Sequence, residues 1–203
     1  MSECGCEIEI KDQAQKRVLY WLLTINATMF VIEISLGWIA ESTALIADSI
    51  DMLADAIVYG IGLYAVGRSL VDKAKAALVS GYFQATLGLL ILVDIVRRLI
   101  AGSEPVSELM MIVGVAALIA NIICLMLISK HKEGEVHMRA SWIFSANDVI
   151  ANLGVIIGGL LVWWLDSRWP DIIIGIVISI VILRGARLIL SDAKTELTPA
   201  KEG

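Results

Sequence analysis

The segment from Glu41 to Gly67, ESTALIADSIDMLADAIVYGIGLYAVG, is long and apolar enough to cross a bilayer, yet it carries three aspartates. In an α-helix, at about 100° per residue, Asp48, Asp51 and Asp55 fall on one narrow face. Charged side chains at membrane depth are costly and usually face the interior of a helix bundle or a water-filled path. The segment therefore predicts a membrane helix that holds a cation.

The rest of the chain is as apolar as this segment. Of its 203 residues 58% are hydrophobic and 18% are charged, and the mean hydropathy of +0.81 is far from that of soluble proteins. We therefore predict an all-α membrane protein with six transmembrane helices, because β-barrel strands would be shorter and would alternate in polarity. The predicted spans are residues 18–40, 44–66, 78–100, 107–128, 141–165 and 170–190.

The basic residues predict how the spans are oriented. All but three of the 16 Lys and Arg residues lie on the same side of the predicted membrane as the two termini; the exceptions are Arg97, Arg98 and Arg168. By the positive-inside rule both termini should be cytoplasmic. We expect a cytoplasmic N-terminal tail at 1–17, one transporter domain at 18–190 and a short cytoplasmic tail at 191–203, in the cell (inner) membrane.

Several function classes find no support in the sequence. It contains no nucleophile elbow, Walker loop or dinucleotide fingerprint, so we expect neither an enzyme nor a prosthetic group. The net charge of −5 gives no reason to expect nucleic acid as a partner. An ion gradient is the simpler energy source for transport, and the lipid bilayer is the expected surrounding.

The fifth predicted span offers oxygen ligands that could meet the aspartates of the second. Asp148 and Asn152 are four residues apart and project from one helix face, and Asn147 lies beside them. Oxygens from two helices would make a plausible site for a dehydrated cation. Two alternatives stay open, namely that the asparagines only hold helices together and that Asp48 is a solvated residue near the membrane interface.

Other acids of the spans have less defined roles. Glu33 lies on one face of span one with Asn26, and it could support the cation site or belong to a proton path. Asp94 is followed by Arg97 and Arg98 at helical spacing, which predicts a structural ion pair.

Two groups outside the spans could bind metal. They are the CxC pair Cys4 and Cys6, and the loop HKEGEVH with His131 and His137. A solvated loop is the favoured interpretation of the second, and two cysteines alone cannot complete a site. Whether either group binds metal is left open.

The chain resembles the cation diffusion facilitators, which are proton-coupled efflux carriers of divalent transition metals. The resemblance covers about residues 18–192, and its most specific part is the pattern SxALxADSxxMLxD from Ser42 to Asp55. The supporting positions are Asn26, Glu33, Gly37, Asp94 to Leu99, Gly114, Asn121 and Asp148.

The resemblance implies a metal site with two ligands from each of spans two and five. The matching positions are Asp51, Asp55 and Asp148, whereas the first span-five position is Phe144, which cannot ligate a metal. Asn147, Asn152, Asp48 or water would then complete the shell. Such a site is all oxygen, so ligand softness gives zinc no preference over cobalt, cadmium, iron or manganese.

The resemblance also implies a function and an assembly. We expect efflux of zinc or a similar ion in exchange for protons, by a homodimer held through its membrane helices because the family's usual C-terminal cytoplasmic domain is missing from this sequence. Two alternatives are a membrane interaction or regulatory protein of the same fold, with Phe144 as the sign of altered transport, and a passive cation channel.

Overall fold

The computed structural model describes residues 3–65, 70–129 and 136–197. These residues form six α-helices: α1 (Glu3–Ile39), α2 (Thr43–Ala65), α3 (Leu70–Ala101), α4 (Ser107–Ser129), α5 (Val136–Leu165) and α6 (Trp169–Leu197). The predicted all-α fold with six helices is confirmed. The cytoplasmic location of both termini stays a prediction.

Several helices are longer than the predicted spans. α1 begins at Glu3, inside the predicted tail, and α6 continues to Leu197. The added segments contain many Glu, Lys, Gln, Ala and Leu residues, which favour a helix in water as well as in lipid. Hydrophobicity therefore locates the membrane-crossing part of each helix but not the ends of the helix.

Five helices of the described part of the chain are long and apolar enough to cross a membrane. α2 is set apart from them by its three aspartates, although it has 23 residues and is otherwise apolar. Large apolar side chains are exposed along the outer faces of the bundle, as expected for a surface in contact with lipid. Trp38, Trp163, Trp164 and Trp169 are exposed near one end, where tryptophans mark the membrane interface. The chain is a multi-pass integral membrane protein.

α2 lies at the centre of the bundle and contacts each of the other five helices. It forms a ring with α1, α4 and α5, while α3 and α6 pair with one another and pack against α2 from the other side. The acid-bearing helix is therefore the one most enclosed by protein, which is where aspartates at membrane depth can be tolerated.

A tight turn joins α1 to α2. The Ser42 amide donates to the Gly37 carbonyl at 3.0 Å, and Glu41 adopts a left-handed φ of 48°. The Ser42 hydroxyl then accepts from the Leu45 amide at 3.1 Å and caps the start of α2. At Gly37 an added Cβ would lie 3.0 Å from Leu45 Cβ, so glycine permits the two helices to approach closely.

The same end of the bundle is joined by further contacts. The Val106 amide donates to the Ala40 carbonyl at 2.9 Å, and the Glu104 amide donates to Glu41 Oε2 at 3.2 Å. Arg98 Nη1 donates to the Glu41 carbonyl. The α1–α2 turn is thus fixed to the loop between α3 and α4.

Candidate cation site

A layer of polar side chains crosses the bundle between two apolar clusters. The cluster on the turn side contains Ala44, Leu45 and Ala47 of α2, and the cluster on the far side contains Tyr59. The three aspartates of α2 lie between these levels.

Asp48 belongs to a chain of hydrogen bonds that joins three helices. Asn152 Nδ2 of α5 donates to Asp48 Oδ2 at 2.8 Å, and Asn121 Nδ2 of α4 donates to Asn152 Oδ1 at 3.0 Å. All three side chains are buried. The amide of Asn152 therefore uses both its nitrogen and its oxygen in contacts with protein, and Asp48 is deep in the bundle, not at its surface.

Asp55 and Asp148 form the closest carboxyl pair across the α2–α5 interface. Both side chains are buried, and their carboxyl groups lie within hydrogen-bonding reach of one another. Asp148 Oδ2 has no hydrogen-bond partner. Two carboxylates this close repel each other when both are ionised, so a cation or a proton between them would stabilise the pair.

Asp51 is half-buried and opens onto a hollow of about 360 Å³. Asn147 shares this hollow, which is otherwise lined by apolar residues of α5 and α6. Asp51 is close enough to Asp48 and Asp55 to interact with both electrostatically. Asp51 and Asn147 are the two polar side chains that line this hollow.

Glu33 of α1 is completely buried, and neither of its carboxyl oxygens has a hydrogen-bond partner. It faces the acids of α2 closely enough to interact with Asp48 and Asp51. Whether Glu33 supports the cation site or belongs to a proton path stays a prediction.

Unpartnered oxygens are the common feature of this interior. Most of the unpartnered buried side-chain atoms in the ring of α1, α2, α4 and α5 are carbonyl or carboxyl oxygens, which accept hydrogen bonds. They are Asn26 Oδ1, both Glu33 oxygens, Asn121 Oδ1 and Asp148 Oδ2. Buried polar groups are normally satisfied, and a surplus of acceptors over donors fits a site for a cation, protons or water.

The structure does not bring all the predicted ligands into one cluster. Among residues 3–65, 70–129 and 136–197, no three His, Cys, Asp or Glu side chains are near enough to hold a metal ion together. Asp55 and Asp148 are adjacent, Asp51 opens onto the hollow with exposed Asn147, and Asp48 is joined to Asn152. For Asp51, Asp55 and Asp148 to bind one cation together, their side chains would have to move closer to one another.

Some sequence predictions fall outside the described side chains. Phe144 lies in α5, one turn before Asp148, but its side chain is among those not described. The same holds for Cys4, Cys6 and His137, and His131 lies in the undescribed segment 130–135.

The predicted ion pair on α3 is confirmed. Asp94 Oδ2 lies 2.5 Å from Arg98 Nε, and Asp94 Oδ1 lies 2.7 Å from Arg97 Nη2. This acid is engaged with two cations on its own helix and does not belong to the acid layer.

Sequence reasoning missed three buried polar residues that bond to α2. Tyr59 donates to Asp55 Oδ2 at 2.8 Å and lies 3.1 Å from Ser145 Oγ, and Asp171 of α6 accepts three hydrogen bonds at the start of α2. A signal for Tyr59 existed, because it continues the four-residue spacing of Asp51 and Asp55. Nothing local pointed to Asp171, whose partners lie more than 120 residues away in the sequence.

Comparison with known proteins agrees with this architecture. Residues 19–198 match the family described as the cation efflux transmembrane domain. The zinc transporter ZitB of Yersinia pseudotuberculosis is 29% identical over 202 residues, which cover 92% of this chain and 64% of ZitB.

Two further relatives extend the comparison. The metal cation efflux system protein CzcD of Cupriavidus metallidurans is 25% identical over 190 residues, covering 88% of this chain and 60% of CzcD. The vacuolar zinc transporter ZRC1 of Saccharomyces cerevisiae is 34% identical over 133 residues, covering 59% of this chain and 30% of ZRC1.

This chain thus spans about 64% of the length of ZitB. The matched family consists of transporters and not of enzymes. With the match extending over nearly the whole chain, the protein belongs to the cation efflux family.

Proposed function

We propose that this protein exports a divalent transition-metal cation, zinc or a similar ion such as cobalt, cadmium, iron or manganese, in exchange for protons. The observation that carries the proposal is the group of buried carboxyls between α2 and α5, with oxygens that no protein donor satisfies. ZitB and ZRC1 are named as zinc transporters and CzcD as a metal cation efflux protein, which supports the choice of cargo.

In the proposed mechanism Asp51, Asp55 and Asp148 bind the cargo. Asn147 is the favoured fourth ligand because it shares a hollow with Asp51, whereas Asp48 and Asn152 are already bonded to each other. Asn152 would serve as a ligand only after Asn121 releases its Oδ1, whereas the bond between Asp48 and Asn152 uses only Oδ2 of Asp48. When they are ionised, Asp48 and Glu33 add negative charge beside the site, which attracts a cation.

Proton coupling follows from the chemistry of these ligands. Carboxylates must be deprotonated to bind metal, so metal and protons compete for the same oxygens. A site exposed to the cytoplasm binds the metal, and protons displace it when the site faces outward. The proposed assembly is a homodimer held through membrane helices, with both termini in the cytoplasm.

Metal uptake into inside-out vesicles tests the proposal. We expect saturable zinc uptake that requires a proton gradient and that falls to the level of empty vesicles in the double variant Asp51→Ala, Asp55→Ala. The matched control is Asp192→Ala, which removes an exposed acid of α6 and should leave uptake unchanged. Full uptake by the double variant would refute the site assignment.

Other outcomes would favour the alternatives. Flux that does not saturate and ignores the proton gradient would indicate a channel. A silent parent that gains strong zinc transport from Phe144→His would indicate a protein of this fold whose transport has been altered.

A further inference from the structure

Tyr59 has the largest of the completely buried side chains in the described part of the protein. Its ring packs in an apolar cluster with residues of α1 and α4, namely Leu19, Leu22, Cys124 and Ile128. Its hydroxyl, in contrast, points at the acid layer, where it lies 2.8 Å from Asp55 Oδ2 and 3.1 Å from Ser145 Oγ. The residue therefore places one polar atom at the α2–α5 interface and shields it with apolar contacts.

The directions of these hydrogen bonds follow from the groups involved. An ionised carboxylate only accepts, so Tyr59 donates its proton to Asp55, and the Ser145 hydroxyl then donates to the Tyr59 oxygen. Ser145 lies on α5 three residues before Asp148, nearly one helical turn away. The hydrogen bonds from Ser145 to Tyr59 and from Tyr59 to Asp55 thus connect α5, which carries Asp148, with α2, which carries Asp55.

We propose that Tyr59 is a positioning residue that makes the cation site selective for small, four-coordinate ions. This inference rests on the proposed function, because it concerns cargo bound at Asp55. With Oδ2 held by the phenol, Asp55 presents a single oxygen, Oδ1, to the cation. Such an arrangement suits tetrahedral Zn²⁺ better than Mn²⁺, which takes six oxygen ligands and gains from a carboxylate free to bind through both oxygens.

The variant Tyr59→Phe isolates the hydroxyl, since it keeps the ring and its packing. Loss of a group that orients a metal ligand typically weakens metal binding by about 10- to 100-fold. We expect Zn²⁺ affinity to fall by about that factor and Mn²⁺ affinity to fall much less, so that the Zn²⁺/Mn²⁺ affinity ratio drops by about tenfold. Isothermal titration calorimetry on the full chain in detergent, with each metal alone, measures both affinities.

Ser145→Ala provides a second variant that does not touch the ring. We expect it to lower the Zn²⁺/Mn²⁺ ratio in the same direction, by less than Tyr59→Phe, because Tyr59 keeps its bond to Asp55. Combining the two changes should add little to Tyr59→Phe alone, since both act through one hydroxyl.

Asp55→Ala separates failure of this inference from failure of the proposed function. Equal Zn²⁺ binding by wild type and Asp55→Ala would refute the site itself. If Asp55→Ala loses binding while Tyr59→Phe keeps the wild-type Zn²⁺/Mn²⁺ ratio, the positioning role is overturned and the site stands. An equal fall in both affinities, accompanied by a lower unfolding temperature without metal, would likewise overturn it, because a purely structural role has that signature.

Discussion

Asp171 and Glu33 are both completely buried acids of the helix bundle, yet their surroundings are opposite. Asp171 accepts from the Ser42 hydroxyl at 2.6 Å, the Thr43 amide at 2.7 Å and the Ala44 amide at 2.9 Å. Glu33 has no hydrogen-bond partner at either oxygen. Burial alone therefore does not identify an acid that takes part in cation binding.

The difference between them separates folding from function. The first turn of a helix has amide groups without partners, and at the start of α2 these lie on buried residues, Thr43 and Ala44, which solvent water does not reach. Asp171 supplies the missing acceptors to α2 from another helix, so its charge serves the fold. Glu33 and Asp148 keep free oxygens, and these oxygens are what a cation or proton would use.

Replacing Asp171 should give the largest effect. Asp171→Ala leaves two amides and one hydroxyl without acceptors in an apolar setting, each costing about 1–3 kcal/mol. We expect a loss of stability on the order of 3 kcal/mol or more, measured by thermal unfolding in detergent. Asp192→Ala, an exposed acid on the same helix, is the control. Similar unfolding temperatures for the two variants would contradict the capping role.

α6 packs closely on the start of α2 at Gly175, and a substitution there measures how tight this contact is. An added Cβ would lie 2.6 Å from Thr43 Cγ2 and 3.2 Å from the Thr43 carbonyl carbon. We expect Gly175→Ala to cost about 1–3 kcal/mol, as overpacking usually does. Gly154→Ala is the matched control, because its Cβ would come no closer than 3.9 Å to any side chain. If Gly175→Ala unfolded at the same temperature as Gly154→Ala, α6 and the start of α2 would have to move apart at little cost.

Glu33→Gln should have the smallest effect on stability and the opposite sign. The change replaces a buried carboxyl that has no hydrogen-bond partner with a side chain that cannot ionise, so we expect a gain of about 1 kcal/mol together with slower transport, as is common where a site trades stability for activity. Thermal unfolding and vesicle uptake measure the two quantities. Glu104→Gln, at an exposed loop position, should alter neither. A destabilised Glu33→Gln variant would place Glu33 with Asp171 among the acids that serve the fold.

Periodicity and hydropathy predicted much of this structure. The six helices, the shared face of Asp51 and Asp55, and the pairing of Asp94 with Arg98 all depend on residues within one helix. Such local relations follow from helix geometry alone. The proximity of Asp148 to Asp55 required only the further assumption that spans two and five are neighbours.

What the sequence could not give depends on partners from distant helices. Asn152 projects toward α2 as expected. Only the folded bundle shows that its side-chain oxygen accepts from Asn121 and that its side-chain nitrogen donates to Asp48. The four-residue spacing places Tyr59 on the face of Asp51 and Asp55, but only the folded bundle shows Ser145 beside its hydroxyl. In each case the hydrogen-bond partner, and not the residue type, determines the role of the side chain.

The short turn between α1 and α2 has a mechanical consequence. Because Glu41 is anchored to the α3–α4 loop and Asp171 holds the first turn of α2, this end of the hairpin has little freedom to move. A tilting hairpin then behaves as a lever with its pivot at the turn. Asp48 lies about 10 Å from that pivot and Asp55 about 20 Å, at 1.5 Å per residue, so the same tilt displaces Asp55 about twice as far.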